Sequence, residues 1–242
     1  MTTNDRRAQL AASLTEVRER IARACASAGR PADAVTLVAI TKTYPAGDVQ
    51  LLAGLGVTDI GENRDQEARA KAHTVREAGV TVRWHFVGRL QRNKATSVVT
   101  YADVVESVDS LRLVRALDEA ARRHRNRPLE ALVQVSIDGD PARGGAVADA
   151  ADPDRDLWRV AEAIDAAEGL RLGGVMAVAP LEWDPDAAFE RLAALAGRVA
   201  TGHPGATAVS AGMSGDLEQA VAHGATHVRI GTSLLGMRKT LR

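Results

Sequence analysis

Short runs rich in β-branched residues alternate with helical patterns eight times along this chain of 242 residues. Alternation of this kind is typical of a parallel sheet whose strands are joined by helices. Eight units within about 250 residues are typical of a closed (β/α)₈ barrel. We therefore predict an α/β fold in which residues 1–242 form a single TIM-barrel domain. The predicted strands are 35–40, 57–61, 82–88, 103–108, 130–137, 172–179, 207–212 and 227–231.

An amphipathic helix is predicted before the first strand, over residues 4–28. Apolar residues recur there at the three- and four-residue spacing of one helix face, at Leu10, Leu14, Val17, Ile21 and Ala24. An open doubly wound sheet is the alternative to the barrel, because the runs at 57–61 and 103–108 are short.

The charge and cysteine content exclude several classes of function. Lys and Arg number 31, as do Asp and Glu, so the net charge is zero and favours neither nucleic acid nor anionic membrane as a partner. Cys25 has no second cysteine with which to form an intrachain disulfide, and no apolar stretch approaches the roughly 18 residues of a membrane helix. We expect a cytoplasmic protein that spans no membrane.

The segment LVAITKTYP, residues 37–45, places Lys42 where an apolar run ends. Only four of the 31 basic residues are lysines, and an amine can form a Schiff base that a guanidinium cannot. Lys42 is therefore a candidate reactive amine, held partly out of water among apolar residues. The alternative is a strand-end lysine that simply reaches solvent. Lys94 is the rival, but it follows a polar segment that is typical of a helix start.

Two segments rich in small residues follow the last two predicted strands, SAGMSGD at 210–216 and GTSLLG at 231–236. Glycine lets backbone N–H groups approach an anion, and barrels often bind phosphate with the loops after strands seven and eight. The alternative is a pair of ordinary turns in which Ser214 caps a helix. Together the two loops indicate a phosphate site at the predicted barrel mouth.

A lysine and a phosphate site at one barrel mouth suit two classes of protein. One is a Schiff-base aldolase that acts on a sugar phosphate, and the other is a protein that binds pyridoxal 5′-phosphate (PLP). Arg229 favours PLP, because it precedes Gly231 on the same strand face and a guanidinium there could bond the pyridine nitrogen. The alternative is an interior arginine paired with an acid such as Glu62.

The chain resembles the pyridoxal phosphate homeostasis proteins (YggS/PROSC type) in six motifs that occur in order: LVAITKTYP, IGENRDQE, WHFVGRLQRNK, GGVMAVAP, SAGMSGD and VRIGTSLLG. The resemblance implies a barrel like the N-terminal domain of alanine racemase, with PLP as the cofactor. It implies a Schiff base on Lys42 and an arginine, Arg229, facing the pyridine nitrogen. It also implies phosphate contacts from Ser210, Gly231 and Thr232, and places Asn63 and Met176 beside the cofactor.

The resemblance further implies a carrier or regulator of vitamin B6 with no catalytic residues, no metal, and PLP-dependent apoenzymes as recipients. We expect a monomer, with a dimer as the alternative. A weak racemase is another alternative, although alanine racemase takes a tyrosine from a second domain that we expect this chain to lack. Tyr44 is a weak substitute for that tyrosine, and Tyr101 is the other tyrosine of the chain.

Three positions depart from the family pattern. Ala211 replaces a methionine, Ser136 replaces an asparagine, and Arg143 replaces a lysine in the segment 138–156, which we predict to be a long loop, mobile or a lid. Asp138 and Asp140 offer too few ligands to predict a cation site. His85 is interpreted as a buried histidine bonded within the barrel rather than as a general base.

Overall fold

The computed structural model of the protein describes residues 2–140 and 143–236. Eight parallel strands, β1 to β8, follow chain order around a closed barrel, and β8 pairs with β1. The barrel confirms the predicted fold and excludes the open sheet. The strands are β1 Thr36–Ile40, β2 Asp59–Glu62, β3 Arg83–Phe86, β4 Val104–Val108, β5 Leu129–Gln134, β6 Leu170–Met176, β7 Ala208–Ser210 and β8 His227–Ile230.

Helices surround the barrel and connect its strands. Two short 3₁₀ helices, Arg92–Lys94 and Pro153–Arg155, also lie within the described residues. The α-helices of the described chain are α1 Thr3–Ser27, α2 Ala46–Ala53, α3 Asp65–Glu77, α4 Ala95–Val98, α5 Leu111–His124, α6 Leu157–Asp165, α7 Pro185–Gly202, α8 Leu217–Ala222 and α9 Thr232–Leu235.

The predicted N-terminal helix is α1, and its apolar stripe covers the seam where the barrel closes. A capping box begins the helix, because Thr2 and Asp5 each accept the backbone N–H of the other. The stripe packs with residues of β1, β8 and α8, and its buried members are Leu10, Leu14, Val17 and Ile21. Each such side chain contributes roughly 1.5–3 kcal/mol by leaving water, so α1 is an integral part of the barrel wall.

The barrel interior combines polar and apolar side chains. Glu106 on β4 bonds to Ser210 on β7 with an oxygen–oxygen distance of 2.6 Å, and strands so far apart in the barrel order can meet only through its interior. A small apolar cluster of Val104, Leu132 and Met176 lies beside these polar groups. The interior is therefore packed rather than open, and ligands have access to it only at its ends.

The predicted loop at 138–156 is anchored along its described part. Isolated bridges join Val135 to Ala146 and Val147 to Asp156, and the second 3₁₀ helix lies within the segment. Arg155 also donates to Asp109 at 3.0 Å, which ties the segment to the loop after β4. The segment thus forms part of the barrel mouth.

Cys25 is a free thiol that is buried against the barrel. Within residues 2–140 and 143–236, every helix is too short or too polar to cross a membrane.

Candidate functional site at the carboxyl ends of the strands

Lys42 stands in the turn that follows β1, two residues beyond the end of the strand. Thr41 before it is fully buried, whereas Lys42 itself is exposed. Our expectation of an amine partly withdrawn from water was therefore wrong for this structure. The strand ends at Ile40, so the lysine side chain lies above the apolar residues of β1 rather than among them.

The turn that carries Lys42 is held on both sides by residues of α3. Thr43 has a φ of 69°, a left-handed conformation that is uncommon for a β-branched residue. Its N–H donates to Glu67 Oε1 at 2.5 Å. On the other side of the lysine, Lys71 Nζ donates to the carbonyl oxygen of Thr41 at 2.8 Å. We call Glu62, Glu67 and Lys71 the clamp, because together they fix the backbone around Lys42.

The clamp is also a charge cluster, in which Lys71 and Glu62 are buried and Glu67 is partly exposed. Lys71 Nζ lies 2.5 Å from Glu62 Oε1 and 3.1 Å from Glu67 Oε1, and Thr41 Oγ1 donates to the same oxygen of Glu62 at 2.6 Å. Burial raises the pKa of Glu62, and the bonds from Lys71 and Thr41 only partly oppose that effect. Glu62 Oε2 is buried and has no partner within the described residues.

The two predicted phosphate loops meet at the mouth beside β1. Gly212 has a φ of +90°, and a Cβ there would lie 2.6 Å from that of Ala220, so the first loop requires glycine. Its carbonyl accepts the N–H of Arg229 at 2.9 Å, and Ser214 Oγ accepts the N–H of Ser233 at 3.5 Å. The loops after β7 and β8 thus form one structure, with the hydroxyl of Ser214 at the junction.

Ser210, which the resemblance placed among the phosphate contacts, is the first residue of the SAGMSGD segment. The residue is fully buried at the end of β7. Its Oγ donates to Glu106 Oε2 at 2.6 Å and accepts from Arg229 Nη1 at 2.8 Å. The hydroxyl is thus committed to the barrel interior, and Ser214 is the serine that the structure brings to the mouth. From the sequence, the role suggested for Ser214 was only that of a helix cap.

Arg229 points from β8 into the barrel, where its guanidinium is buried. Nη1 donates to the Ser210 carbonyl at 2.7 Å, and Nη2 donates to the Ala177 carbonyl at 2.8 Å. Its acidic neighbour is Glu106, at 3.9 Å, and not Glu62, which pairs with Lys71 instead. Burial lowers the pKa of Arg229, but the nearby carboxylate of Glu106 favours the charged form.

His85 is bonded within the barrel, as the sequence favoured. Its Nδ1 lies 2.6 Å from Glu106 and its Nε2 lies 2.9 Å from Asp59. Burial alone lowers the pKa of His85, but the two carboxylates outweigh burial and raise it to about 9. Burial likewise favours the protonated form of Glu106, yet His85, Arg229 and Ser210 lower its pKa to about 2. The interior therefore holds a series of alternating charges in the order Asp59, His85, Glu106 and Arg229.

The other two predicted neighbours of the cofactor lie at different depths. Asn63 follows β2 at the mouth, and its backbone packs so closely on Gly88 that a Cβ at position 88 would lie 2.1 Å from the Asn63 carbonyl oxygen. Met176 is buried at the end of β6, opposite Ser210 in the pairing with β7. Asn63 thus borders the mouth, and Met176 forms part of its floor.

Sequence reasoning missed Lys71, Glu67 and Glu106. Lys71 follows Glu67 by four residues on one helix face, a spacing that signals an ion pair. No comparable signal linked Glu106 to Ser210, 104 residues later in the chain. Among the described residues, no group of three His, Cys, Asp or Glu side chains is arranged to hold a metal ion.

The chain belongs to the class of the alanine racemase N-terminal domain. The model of that domain family matches residues 12–239. The fold also matches alanine racemase of Corynebacterium glutamicum with a TM-score of 0.67 at 14% identity, covering 98% of this chain and 64% of that one. This second likeness concerns the fold alone.

Within that class, the chain belongs to the pyridoxal phosphate homeostasis protein family. It is 46% identical to the family member of Mycobacterium bovis, over 97% of this chain and 95% of the relative. It is 34% identical to the Escherichia coli K12 member, over 95% and 97% of the two chains. The PipY protein of Synechococcus elongatus PCC7942, whose structure has PLP bound, matches with a TM-score of 0.78 at 31% identity, covering 94% of this chain and all of PipY.

Proposed function

We propose that this protein binds PLP as a Schiff base on Lys42 and serves intracellular PLP homeostasis as a carrier without catalysis. The observation that carries the proposal is the adjacency of β1 and β8 at the mouth. Val38 pairs with Arg229 there, and Gly231 packs against Ile40, where a Cβ would lie 3.5 Å from that of Ile40. The amine, the phosphate loops and the arginine are therefore neighbours on one side of the barrel.

The residues at the mouth fit the three polar parts of PLP. Lys42 offers an exposed amine for the aldehyde carbon. Ser214, together with the backbone of Gly231 and Thr232, offers donors for the phosphate, and we propose Ser214 for the role that the resemblance implied for Ser210. Arg229 offers a guanidinium toward the pyridine nitrogen, and Asn63 and Met176 would flank the ring.

The arginine supports binding without catalysis. When bound, PLP serves as an electron sink, and it does so most strongly when its pyridine nitrogen is protonated by a carboxylic acid. Arg229 can donate a hydrogen bond to that nitrogen, but it does not protonate the nitrogen as a carboxylic acid would. Glu106, the nearest acid, is occupied by His85 and Ser210. The arrangement favours holding PLP over activating it.

The tyrosines also give little support to a racemase. Tyr44 donates its hydroxyl to the carbonyl of Gly236 at 2.5 Å, which commits its proton to the backbone. Tyr101 lines a cavity together with residues of α3 and Trp84, and burial strongly raises the pKa of its phenol. A racemase requires a second acid–base group at the cofactor, and neither phenol is placed as one. Family membership likewise favours PLP over the sugar phosphate of an aldolase.

The absorption spectrum of the purified protein with added PLP tests this proposal. Wild type and Lys94→Ala should show the visible band of a PLP Schiff base, and Lys42→Ala should not. Borohydride reduction followed by peptide mass mapping should place the reduced cofactor on Lys42. A wild-type protein without the band would overturn the proposal and favour the aldolase alternative.

We also infer a monomeric, cytoplasmic protein that hands PLP to PLP-dependent apoenzymes. The buried free thiol of Cys25 supports a reducing compartment. Light scattering would report the mass of the particle in solution. Transfer is tested by mixing the loaded protein with an apoenzyme and a trap for free PLP, and recovery of enzyme activity despite the trap supports direct handover.

A further inference from the structure

A cavity lies at the barrel mouth, on the opposite side of the barrel from the proposed PLP site. It has a volume of about 1050 Å³ and lies among the loops after β3 and β4 and the 3₁₀ helix Pro153–Arg155. None of its lining residues belongs to the proposed cofactor set. In an eight-stranded barrel, β3 and β4 stand opposite β7 and β8, so the two sites face one another across the mouth.

The cavity carries an excess of positive charge. Arg112 Nε pairs with Asp154 at 2.7 Å, and Arg155 Nη2 pairs with Asp109 at 3.0 Å. Two further arginines of the lining, Arg89 and Arg92, have no ion pair among the described residues. The side chains therefore leave two positive charges uncompensated, and guanidinium groups suit carboxylate or phosphate as bidentate partners.

Two buried polar groups in the lining lack a partner. Ser107 is 2% exposed, and its Oγ makes no hydrogen bond within the described structure. Arg155 Nε is also buried and unpaired, although Nη2 of the same guanidinium is bonded. Burying a polar group without a partner costs roughly 1–3 kcal/mol, so such groups are uncommon unless a ligand, an ion or ordered water satisfies them. An N–H such as Arg155 Nε can be satisfied only by an acceptor.

We propose that this cavity binds a small dianion, a phosphate or a dicarboxylate, independently of PLP. Arg89 and Arg92 supply the two uncompensated charges, and Ser107 Oγ and Arg155 Nε donate to the anion's oxygens. The volume lies just above the 300–1,000 Å³ that is common for small-molecule sites, so the cavity has room for a small dianion. The site places a second anion within the same barrel mouth as the lysine.

Calorimetric titration of the PLP-free protein tests the proposal, with inorganic phosphate in one arm and succinate in the other. We expect saturable binding of at least one dianion at millimolar concentrations, and the tighter arm identifies the chemical class. The double variant Arg89→Ala/Arg92→Ala should bind at least about tenfold more weakly, because the loss of even one charge-assisted contact weakens binding by that factor and the variant removes two arginines. Arg115→Ala, an exposed arginine of α5 outside the cavity, is the matched control and should bind as wild type does.

Two single variants separate this site from a structural effect and from the phosphate loops. Ser107→Ala removes an unpaired hydroxyl. It should therefore weaken anion binding and leave the melting temperature of the free protein unchanged or higher. Inorganic phosphate can also bind the phosphate loops of the PLP-free protein, so Ser214→Ala identifies that part of the heat, and the binding that this variant keeps belongs to the cavity. Equal affinity in wild type and in the double arginine variant, or no saturable heat with either dianion, would overturn the proposal. Neither result depends on whether Lys42 captures PLP.

Discussion

Lys71 Nζ donates to the carbonyl oxygen of Thr41 at 2.8 Å, and Thr41 directly precedes Lys42. Lys71 belongs to α3, the helix that follows β2. This helix therefore holds the end of β1, next to the candidate amine. The same ammonium bonds Glu62 and Glu67, and Glu67 holds the N–H of Thr43 on the other side of Lys42. The backbone on both sides of Lys42 is thus fixed by one ion cluster.

Replacing Lys71 with methionine should destabilise the protein and impair PLP capture. The variant leaves Glu62 buried without its cation, and breaking a buried pair in this way typically costs about 3–5 kcal/mol. Urea denaturation measures the free energy of unfolding, and the rate of appearance of the Schiff-base band measures capture by Lys42.

The double variant Lys71→Met/Glu62→Leu separates these two effects. Replacing both charges with apolar groups should recover much of the stability. The Thr41 carbonyl still lacks its donor, so PLP capture should stay slower than in wild type. Recovery of both properties together would show that the clamp acts on stability alone.

Thr43→Gly should keep or raise stability while loosening the turn at Lys42. A left-handed conformation costs a residue other than glycine roughly 1–2 kcal/mol, and glycine removes this cost. Glycine also loses more chain entropy on folding, which costs about 0.5–1 kcal/mol and offsets part of the gain. We therefore expect a melting temperature at or slightly above that of wild type, with weaker PLP binding. Thr43→Asn, which tolerates the same φ and keeps a side chain, is the control and should bind nearly as wild type does. A large loss of stability in the glycine variant would contradict this account of the turn.

The sequence was sufficient to predict the barrel, because eight alternations of strand and helix are a local signal that the chain repeats. The sequence also indicated Lys42 and the loops after β7 and β8, because the end of a strand and a glycine-rich turn can each be recognised from a few neighbouring residues. It could not show which interior side chains meet. Glu106 and Ser210 are joined across the barrel, and the periodicity of a strand says which face a residue occupies but not its partner on another strand. For that reason Glu62 was suggested as the acid for Arg229, whereas Glu106 holds that position.

The two serines of the SAGMS segment should respond in opposite ways to alanine. Ser214→Ala should weaken PLP binding by about tenfold, the value of one charge-assisted hydrogen bond, and leave the melting temperature unchanged. Ser210→Ala removes a bond to both Glu106 and Arg229, so it should lower stability by roughly 1–3 kcal/mol. Fluorescence titration with PLP and thermal denaturation of both variants check the pair. If Ser210→Ala weakened binding at unchanged stability, the phosphate contact would belong to Ser210 after all.

His85 and Glu106 should together contribute most to stability at mildly acidic pH. The folded pKa of His85 is about 9, against 6.5 for the free group, so its contribution is complete below about pH 6.5 and is lost as the pH rises through 9. The folded pKa of Glu106 is about 2, against 4.5, so its contribution is complete above about pH 4.5 and is lost as the pH falls through 2. Both contributions are therefore complete together only between about pH 4.5 and 6.5.

Urea denaturation of the PLP-free protein at several pH values tests this window. Wild type should lose up to about 3 kcal/mol between pH 6.5 and 10, because a shift of one pKa unit corresponds to 1.36 kcal/mol. His85→Gln should be less stable than wild type at pH 6 and should lack most of this alkaline loss. His73→Gln, at an exposed position on α3, is the matched control and should keep the wild-type profile. An alkaline loss of equal size in His85→Gln would assign the pH dependence to other groups, and His85 would then be neutral in the folded protein.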